Sequence, residues 1–450
     1  MNSIPSKLQH QLDDSKQEHV LKFWDELNDV ERELLVSQLE TMDFDLFTTV
    51  QKQISSNQIK NISPCETVLL DDTYRDDGIA SIKKGEIGVL TVAGGQGTRL
   101  GWNGPKGTFP ATPVSGKSLF QVIAEQIVFA TKKYNITIPW YIMTSVENDA
   151  ITRSFLLDNN CFGLDRTDIF VFTQGQVPAV DEDGKMLLAS KHIISMNPDG
   201  HGGVIAALQQ SGGLDEMLKR GVKHLSYVQI DNPLANAVDP NFIGLHISEI
   251  SSAEASSKCV RKTNPNERVG LFCNVDGNVE VVEYSDLPSE KNNEVDSEGQ
   301  LVYNSGSIAL HLFSVEFLQR VAGDLPWHRA HKSVPCIDLK SGKNNEVDAP
   351  NAYKFEKFVF DVLPLAKKSI VVETKREEEF APIKNASGED SPSTSHALQQ
   401  DRAIRWLMIS GVNVSKQAVV ELSPLTASCP DDLEPSVLPE SIESDETLAL

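Results

Sequence analysis

The feature that most constrains this chain is a predominantly apolar run, residues 87–93, that leads directly into a glycine-rich loop. A run of that length is typical of a buried strand in a parallel sheet. Gly94, Gly95 and Gly97 let backbone N–H groups turn toward an anion, because glycine adopts conformations that are closed to other residues. The pattern predicts a strand that ends in a phosphate-binding loop.

Basic residues strengthen this interpretation of the loop. Arg99 and Lys106 place positive charge a few residues after the glycines, and Pro105 stiffens the returning chain. A glycine cluster alone is often a plain turn, but a cluster that follows a strand and carries cations favours phosphate binding.

Two commoner glycine-rich sites fail on spacing. The dinucleotide fingerprint G-x-G-x-x-G has two residues in its second gap, whereas three residues separate Gly97 from Gly101. Residues 116–118 read Gly-Lys-Ser like the end of a P-loop, but the first glycine of that motif would fall on Ala111. The loop therefore belongs to neither class.

Composition limits the function classes. The 450 residues are 40% hydrophobic and 23% charged, so the chain can bury a large core and should divide into more than one structural unit. The formal net charge of −23 argues against a broad nucleic-acid-binding surface, and a polyanionic ligand would need a local basic pocket.

The cysteine pattern and the termini predict a cytoplasmic protein. The six cysteines show no C-x-x-C spacing and are expected to be free thiols of a reducing compartment. No apolar run of about 18 residues and no signal-like N-terminus is present, so neither secretion nor membrane insertion is expected.

The order of patterns predicts an α/β protein with additions at both ends. Residues 1–75 have helical spacing of apolar side chains and predict an N-terminal helical arm, either packed on the protein's own core, which is favoured, or free to bind a partner. Residues 76–385 form the predicted central domain and residues 386–430 a small C-terminal region. The tail, residues 431–450, is rich in Pro, Ser, Asp and Glu and is expected to be disordered.

Within the central domain, apolar strands alternate with helices. Strands are predicted at residues 87–93, 140–144, 168–172 and 225–230, with a helix over residues 118–133 for which Ser118 can act as N-cap. That alternation is typical of a parallel sheet covered by helices. Period-two segments at 269–273 and 279–284, with the turn sequence Asp-Gly-Asn between them, add a predicted antiparallel hairpin.

Asp231 follows the last of those parallel strands. Ligands bind open α/β sheets outside the carboxyl ends of the strands, and Mg²⁺ is commonly held by one or two carboxylates with substrate phosphates. Asp231 is therefore a candidate metal ligand, with the capping of the next turn as the alternative.

Gly94–Gly101 and Pro105–Gly107 together resemble the signature of the UDP-N-acetylhexosamine pyrophosphorylases, within the UDP-sugar pyrophosphorylase family of uridylyltransferases. The family loop reads approximately Leu-x-x-Gly-Gly-Gln-Gly-Thr-Arg-Leu-Gly, followed by Pro-Lys-Gly. Further segments resemble the family in the same order over roughly residues 20–430: Trp140–Ser145, Gln174–Gly175, Pro198–Gly203, Asp231–Asn232, Asp239–Gly244, Val281–Ser285, Glu356–Asp361 and Phe380–Asn385.

The resemblance implies a fold and a reaction. It implies a Rossmann-like, GT-A-like nucleotidyltransferase fold with a mixed, mostly parallel sheet and helices on both faces. The implied enzyme uses Mg²⁺ to join a sugar 1-phosphate, most simply N-acetylglucosamine 1-phosphate, to the α-phosphorus of UTP by in-line attack, releasing pyrophosphate. The implied partners are these substrates and products, with neither nucleic acid nor membrane, and the protein is expected to be a monomer or a weak oligomer.

The resemblance also implies roles for individual residues. Arg99, Lys106 and Lys384 are the implied catalytic cations, and Asp231 is the implied metal ligand. The implied nucleotide-binding residues are Leu90, Gly94, Gly95, Gln96, Gly97, Gln174, Gly200, His201 and Gly202. The implied sugar-binding residues are Asn232, Gly270, Glu283, Tyr284, Asn304 and Gly306.

Three departures from the family pattern concern the walls of the site. His201 and Ser307 stand where the family typically has Asn, and Asn236 stands where relatives often have Lys. These changes leave the phosphate-binding residues in place, so the reaction type is better supported than the sugar. The alternatives are an enzyme that uses glucose 1-phosphate or galactose 1-phosphate and a UDP-sugar-binding protein that has lost catalysis. A glycine-loop oxidoreductase is a weaker third alternative.

Overall fold

The computed structural model describes residues 4–44, 47, 61–345, 347–415, 417–444 and 446–450. The chain divides into two compact units. The first contains Met1–Lys60, Gly175–Val204 and Asp324–Val359; the second contains Asn61–Gln174, Ile205–Gly323 and Phe360–Leu450.

The α-helices of the described residues, in chain order, are α1 Ser6–Asp14, α2 Asp29–Glu40, α3 Arg75–Lys83, α4 Leu119–Tyr134, α5 Asp149–Asp158, α6 Val204–Gln210, α7 Gly213–Arg220, α8 Pro240–Ile247, α9 Ser289–Asn292, α10 Val315–Val321, α11 Arg376–Glu379 and α12 Pro392–Ile409. None of the helices within these described ranges is long and apolar enough to cross a membrane.

The strands of the described residues are β1 Ile62–Pro64, β2 Val68–Leu69, β3 Ile87–Val92, β4 Trp140–Thr144, β5 Ile169–Thr173, β6 Gln176–Pro178, β7 Leu188–Ser190, β8 Ile193–Ile194, β9 Met196–Pro198, β10 His224–Gln229, β11 Ala255–Arg261, β12 Leu271–Val275, β13 Asn278–Val282, β14 Ser305–Ser314, β15 His328–Lys332, β16 Cys336–Ile337, β17 Asn344–Asn345, β18 Ala352–Glu356, β19 Ile370–Glu373, β20 Asn413–Val414, β21 Val419–Glu421, β22 Ser441–Ile442 and β23 Thr447–Ala449.

Eleven of these strands form the mixed sheet of the second unit, in the order β2-β19-β11-β14-β10-β3-β4-β5, with β1, β12 and β13 attached through β14. Strands β10, β3, β4 and β5 are parallel neighbours, as their apolar runs predict. The long strand β14 runs antiparallel between β10 and β11. It was not predicted, and it makes the sheet mixed.

The predicted helix after the glycine-rich loop is confirmed. Ser118 is its N-cap and accepts a hydrogen bond from the Gln121 N–H, while Asn135 ends the helix in the left-handed conformation. Its apolar face packs against β4, whose five residues are all buried, in a core that includes Phe120 and Trp140. The tryptophan Nε1 donates to Thr91 Oγ1, which satisfies a polar group inside that core.

The predicted hairpin is also confirmed, as β12 and β13. Asp276 and Gly277 join the two strands, both with positive φ, as a two-residue hairpin turn of the favoured hand requires. Leu271 of β12 also pairs with Gly306 of β14, so the base of the hairpin lies against the main sheet.

The first unit has a separate core. Helices α1 and α2 bury Leu12, Leu35 and Leu39 in a cluster with apolar residues of the short strands β6–β8, β16 and β18. Asn28 and Glu31 form a capping box at the start of α2. The helical segments predicted here are therefore packed on apolar residues of their own unit, the favoured alternative; residues 45–46 and 48–60 of the predicted arm lie outside the described residues.

The last twenty residues, for which composition predicts disorder, contain two paired strands. Strand β22 pairs with β20 and β23 with β21, both parallel. Ile442 and Leu433 are buried in a small core with Trp406 and Leu407 of α12. Composition did not predict these strands, because it describes the tail as a whole. A few apolar residues of the tail are enough to pack on a core that α12 provides.

Candidate active site

The carboxyl ends of β10, β3, β4 and β5 meet at one edge of the large sheet. Gly94 begins the loop after β3, Gln174 comes directly after β5, and Asp231 comes two residues after β10. Because β14 is antiparallel to β10, its first residues, including Gly306, lie at the same edge. Topology thus gathers predicted site residues that are far apart in sequence, at the place where open α/β sheets bind ligands.

The loop after β3 leaves several N–H groups without acceptors. The Gly97 N–H donates to Gly104 O at 2.9 Å and the Lys106 N–H to Gly95 O at 3.0 Å, so the two arms of the loop are tied together. For the N–H groups of Gly94, Gly95 and Gln96, we find no hydrogen bond to any of the described residues. Adjacent unpaired donors of this kind are the anion-binding arrangement that the sequence predicts.

Gly94 and Gly95 of this loop differ in what surrounds them. A Cβ at Gly94 would lie 2.3 Å from Gln174 Oε1, so this glycine makes room for the glutamine amide. A Cβ at Gly95 would meet nothing within 4 Å. The Gln174 side chain is buried directly beside the loop, and Gly95 presents its backbone to open space. Leu90, an implied nucleotide-binding residue, is buried within β3.

Asn148 also shapes the loop, although no sequence motif identified it. Its Nδ2 donates to Ala93 O at 3.1 Å, and its Oδ1 accepts from the Ser145 N–H at 2.8 Å. The side chain therefore ties the end of β3 to the end of β4. Only the adjacency of those two strands reveals this function.

Lys106, Asp231 and Lys384 come together. Lys106 Nζ lies 3.1 Å from Asp231 Oδ2, with both side chains largely buried. Burial alone would raise the pKa of the Asp231 carboxyl, but the ammonium groups of Lys106 and Lys384 outweigh it and hold that pKa below its ordinary value. Lys384 also pairs with Asp390 at 3.3 Å.

The remaining predicted cation, Arg99, is placed differently. It lies in the short 3-10 helix Thr98–Leu100 and is exposed. No ion pair or hydrogen bond of its side chain is found among the described residues. It is on the same loop as Lys106, with its guanidinium in solvent.

Asn232 is engaged by the protein itself. Its Nδ2 donates to Glu379 O at 2.6 Å, and its Oδ1 accepts from the Ala381 N–H at 3.0 Å. The side chain is buried, and both ends of its amide are occupied by backbone groups. These contacts hold the segment that leads to Lys384, and the sugar contact that the resemblance implies for Asn232 stays a prediction.

Predicted sugar-binding residues gather at the base of the hairpin. A Cβ at Gly270 would lie 3.4 Å from Glu283 Oε1, and Gly270 O accepts from the Ser307 N–H at 2.8 Å. Gly306 pairs with the first residue of β12. Asn304 lies just before Gly306, and its backbone O accepts a hydrogen bond from the Gly306 N–H at 3.0 Å.

Of two further side chains of the predicted sugar site, Asn304 is oriented by a local hydrogen bond and Tyr284 is exposed. Asn304 Nδ2 donates to Leu301 O at 2.8 Å. Tyr284 has 45% of its surface exposed, so its ring is available to a ligand but is not part of a packed wall.

Oxygen-ligand metals fit the edge at Asp231. The charges of Lys106 and Lys384 favour the ionised form of the Asp231 carboxylate. A carboxylate is the kind of hard oxygen ligand that Mg²⁺ prefers. In the part of the chain that the structure describes, no group of three or more His, Cys, Asp or Glu forms a complete metal cage. A cation here would therefore depend on phosphate oxygens for further ligands.

In the first unit, the glycines at 200 and 202 pack against backbone. Side chains at Gly200 or Gly202 would collide with the backbone of Lys357, and the Gly202 N–H donates to Lys357 O at 2.8 Å. His201 stacks on Phe358 with ring centroids 5.3 Å apart, and its Nδ1 accepts from the Val359 N–H. The imidazole is thus held in place by packing.

Asp199, which the sequence analysis did not single out, is buried between two glycines of the same unit. Cβ atoms at Gly175 and Gly203 would lie 2.5 and 2.1 Å from its carboxylate oxygens. Burial raises the pKa of Asp199 to about 7, although the ammonium of Lys357 acts in the opposite direction. Gly203 follows Asp199 closely in the sequence, but Gly175 is brought to it by the pairing of β6 with β9, which no local pattern specifies.

A cavity of about 840 Å³ lies elsewhere in the second unit. Leu234, Asn236, Arg402 and Trp406 are among the residues that line it, whereas Lys106, Asp231 and Lys384 are not. Its size suits a ligand, but the chemistry predicted from the sequence lies at the sheet edge.

Comparison with known proteins places these features in a family. The family model described as UTP–glucose-1-phosphate uridylyltransferase matches residues 41–423. UDP-N-acetylhexosamine pyrophosphorylase-like protein 1 of Xenopus tropicalis is 34% identical over 96% of this chain and 94% of its own length. UDP-N-acetylglucosamine diphosphorylase 2 of Arabidopsis thaliana is 34% identical over 95% of this chain and 90% of its own length.

Solved structures agree with the fold. The UDP-N-acetylglucosamine pyrophosphorylase of Trypanosoma brucei, crystallised with an inhibitor, superposes with a TM-score of 0.80 at 27% identity, covering 96% of this chain and 94% of that chain. The predicted mixed α/β fold is thereby confirmed.

Proposed function

This chain belongs to the UDP-sugar pyrophosphorylase family of uridylyltransferases, and we propose that it joins N-acetylglucosamine 1-phosphate to the uridylyl group of UTP. The observation that carries the proposal is the meeting of Lys106, Asp231 and Lys384 beside the glycine-rich loop. The relatives named above for N-acetylglucosamine or N-acetylhexosamine support the choice of sugar.

The proposed reaction is a single displacement. A phosphate oxygen of the sugar 1-phosphate forms a bond to the α-phosphorus of UTP, and the bond from that phosphorus to the bridging oxygen of the β-phosphate breaks. The electron pair of the broken bond leaves on pyrophosphate, so UDP-sugar and pyrophosphate are the products. The protein's task is to position two polyanions and to neutralise charge.

The loop and the two lysines are suited to that task. The unpaired N–H groups of Gly94, Gly95 and Gln96 are donors for phosphate oxygens, and Lys106 and Lys384 supply fixed positive charge. Asp231 pairs with Lys106 in the protein and would hold Mg²⁺ together with the phosphates. When bound, the metal would neutralise phosphate charge and orient the phosphoryl groups.

Other residues are proposed to select the base and the sugar. Gln174 lies beside the loop with an amide that can both donate to and accept from a uracil edge. Glu283, next to Gly270, offers a carboxylate acceptor for sugar hydroxyl groups. These assignments follow the resemblance together with the placement of both residues in the second unit.

A second candidate function is uridylyl transfer to glucose 1-phosphate or galactose 1-phosphate. The observation that favours it is Ser307, whose N–H is held by Gly270 O at the predicted N-acetyl end of the sugar site, where the family typically has Asn. A smaller hydroxyl side chain at that point changes how an acetamido group would be held.

One experiment separates the candidates. The purified protein is incubated with Mg²⁺, UTP and one hexose 1-phosphate at a time, and the UDP product is identified by mass spectrometry while pyrophosphate release is timed. We expect the highest kcat/KM with N-acetylglucosamine 1-phosphate. A higher value with a plain hexose phosphate would establish the second candidate, and UDP-sugar binding without pyrophosphate release would establish a non-catalytic protein.

The role of Asp231 is tested in the same assay. We expect Asp231→Asn to raise the Mg²⁺ concentration that gives the half-maximal rate, because the amide is a poorer ligand for this ion. An unaltered magnesium requirement would contradict the assignment.

We also propose a cytoplasmic location and a monomer or weak oligomer. All six cysteines are free thiols, which suits a reducing compartment. Sedimentation at micromolar concentration tests the oligomeric state.

A further inference from the structure

Lys258 is a fully buried lysine in the middle of β11. Its side chain is 1% exposed, and its Nζ lies 2.6 Å from Asp239 Oδ2 and 2.5 Å from Glu379 Oε1. Thr374 Oγ1 donates to the same Glu379 oxygen at 2.9 Å. The ammonium also lies over the Phe242 ring, 5.1 Å from its centroid. The three charges form a buried ionic cluster within the second unit.

Such a cluster constrains geometry more than it stabilises the fold. Burial opposes the charge of Lys258, but Asp239 and Glu379 outweigh it and raise the lysine pKa. The desolvation of three charges cancels much of their attraction, so an apolar replacement often costs little stability. Each charge must nevertheless stay against its partner, because separation would leave it unpaired in the interior.

Glu379 is the first residue of a segment that ends at Lys384. The Glu379 carbonyl accepts from Asn232 Nδ2, and the Ala381 N–H donates to Asn232 Oδ1. The Ile383 N–H donates to Asp231 O at 2.8 Å. The segment is thus fastened at every second residue to the chain that carries the Asp231 carboxylate.

Lys384 depends on this fastening for its place. Its own side chain is 36% exposed and forms an ion pair with Asp390, six residues further along the chain. The lysine stem is flexible, so the backbone sets only where it starts and thereby how far its ammonium can reach toward Asp231.

We propose that Glu379, whose carboxylate is held by Lys258, is a positioning residue for Lys384, acting through the segment between Glu379 and Lys384. The ionic cluster fixes the start of the segment, and the Asp231–Asn232 contacts fix its course. The catalytic consequence rests on the proposed function of Lys384, whereas the placement of Lys384 is a property of the protein alone.

The test compares Glu379→Ala with Glu379→Gln. The alanine variant removes one of the two carboxylate partners of Lys258 and leaves the other, Asp239. The glutamine variant keeps a side-chain oxygen that can accept hydrogen bonds from Lys258 and Thr374. Surface amines are acetylated under limiting reagent, and mass spectrometry gives the labelling rate of Lys384 relative to exposed Lys219. The kcat and the KM for UTP are measured in parallel.

We expect Glu379→Ala to change the Lys384-to-Lys219 labelling ratio by about threefold or more, because the segment opens locally. Its kcat should fall by about tenfold or more, since small displacements of a catalytic group are costly, while the KM for UTP stays near the parent value. Glu379→Gln should restore both quantities to near the values of the unaltered protein.

Glu254→Ala is the matched control. Glu254 is similarly buried and comes directly before the first residue of β11. There it pairs with Arg320 and Lys367. Its loss should lower stability without changing Lys384 labelling or kcat. If Glu379→Ala does not fold, Thr374→Val, which removes a hydroxyl donor to Glu379, should change the labelling ratio in the same direction by a smaller factor.

The outcomes separate the two claims. An unchanged labelling ratio in Glu379→Ala, or an equal change in Glu254→Ala, overturns the positioning role. A changed labelling ratio with unchanged kcat refutes the catalytic consequence and retains the placement. If the unaltered protein shows no uridylyl transfer with any hexose 1-phosphate, the proposed function fails, and the labelling ratio still decides the placement.

Discussion

Lys106 and Asp231 are separated by 125 positions in the chain, yet their charged atoms are 3.1 Å apart. At the scale of single residues, Lys106 and Lys384 are cations at the sheet edge of a protein whose net charge is −23, and each is paired with a carboxylate, Asp231 or Asp390. Long-range repulsion of polyanionic substrates must therefore be overcome by a few groups at short range.

We expect Lys106→Ala to lower kcat for uridylyl transfer by about 10²- to 10³-fold, the usual cost of removing one preorganised charge-stabilising donor. Its far-ultraviolet circular dichroism and unfolding midpoint should stay close to those of the unaltered protein, since Lys384 still faces Asp231. Lys223→Ala is the control, because Lys223 is an exposed lysine paired with Glu86. Activity near the parent level in Lys106→Ala would refute its assignment.

Two neighbouring glycines should respond differently to alanine. Neither Gly94 nor Gly95 has positive φ, so the backbone accepts alanine at both positions. Gly94→Ala places a methyl group 2.3 Å from Gln174 Oε1 and should destabilise the protein by about 1–3 kcal/mol. Gly95→Ala meets no protein atom within 4 Å, so its stability should be unchanged while its affinity for UTP falls.

Urea unfolding and equilibrium UTP binding, measured on both glycine variants, check this contrast. Unchanged UTP affinity in Gly95→Ala would show that the loop backbone does not face the nucleotide.

At the scale of elements, β10 and α8 share a buried histidine pair. His224 Nδ1 and His246 Nε2 are 3.1 Å apart, and His246 Nδ1 lies 2.8 Å from Ser256 Oγ. Burial lowers the pKa of His224 to about 4, with Glu86 and Lys223 acting in opposite directions, and burial also lowers the pKa of His246. Both rings are therefore neutral in the folded protein at neutral pH.

This pair should make stability fall with acid. Below pH 6.5 the unfolded chain binds a proton at His224 that the folded protein does not bind until about pH 4, so the free energy of unfolding decreases through that interval. The contribution of His224 is up to about 3 kcal/mol. Urea unfolding of His224→Gln at pH 7 and pH 4.5 should show a smaller pH-dependent loss than the unaltered protein, and equal losses would contradict the assignment.

Several elements followed from local pattern, and others did not. The strands β3, β4, β5 and β10 and the helix α4 were predicted because apolar period and an N-cap are local properties. The strand β14 was missed in the centre of the sheet, because its neighbours β10 and β11 precede it by many residues and no local pattern specifies pairing. For the same reason the engagement of Asn232 by Glu379 and Ala381 could not be foreseen.

At the scale of the whole molecule, the C-terminal region reaches back to the chain that follows the glycine-rich loop. Glu421, in β21, accepts hydrogen bonds from the Val114 and Ser115 N–H groups at 2.8 and 2.9 Å. The last residues complete the pairing of β20 and β21. The end of the chain thus stabilises the strand that holds the loop at residues 112–117.

Removal of residues 431–450 should therefore destabilise the protein. The truncation removes Leu433 and Ile442, and the burial of each side chain stabilises the fold by about 1.5–3 kcal/mol. It also deletes β22 and β23, the strands that pair with β20 and β21. A lower midpoint of thermal unfolding is expected, with faster proteolysis within residues 411–430. Val437→Ser, at a side chain that is 74% exposed, is the control. An unchanged midpoint in the truncated protein would contradict this role.

The amino-acid sequence by itself determined the local elements of this protein: the apolar strand and its loop, the capped helix, the hairpin with its Asp-Gly turn, and the family that these motifs resemble. The tertiary structure decided which of the marked residues meet. Parallel pairing of β3 with β10 brings Lys106 to Asp231, and backbone contacts with Asp231 and Asn232 bring Lys384 to the same edge. The physical reason is range: capping, turns and periodicity act within a few residues, whereas strand order and burial join segments more than a hundred residues apart.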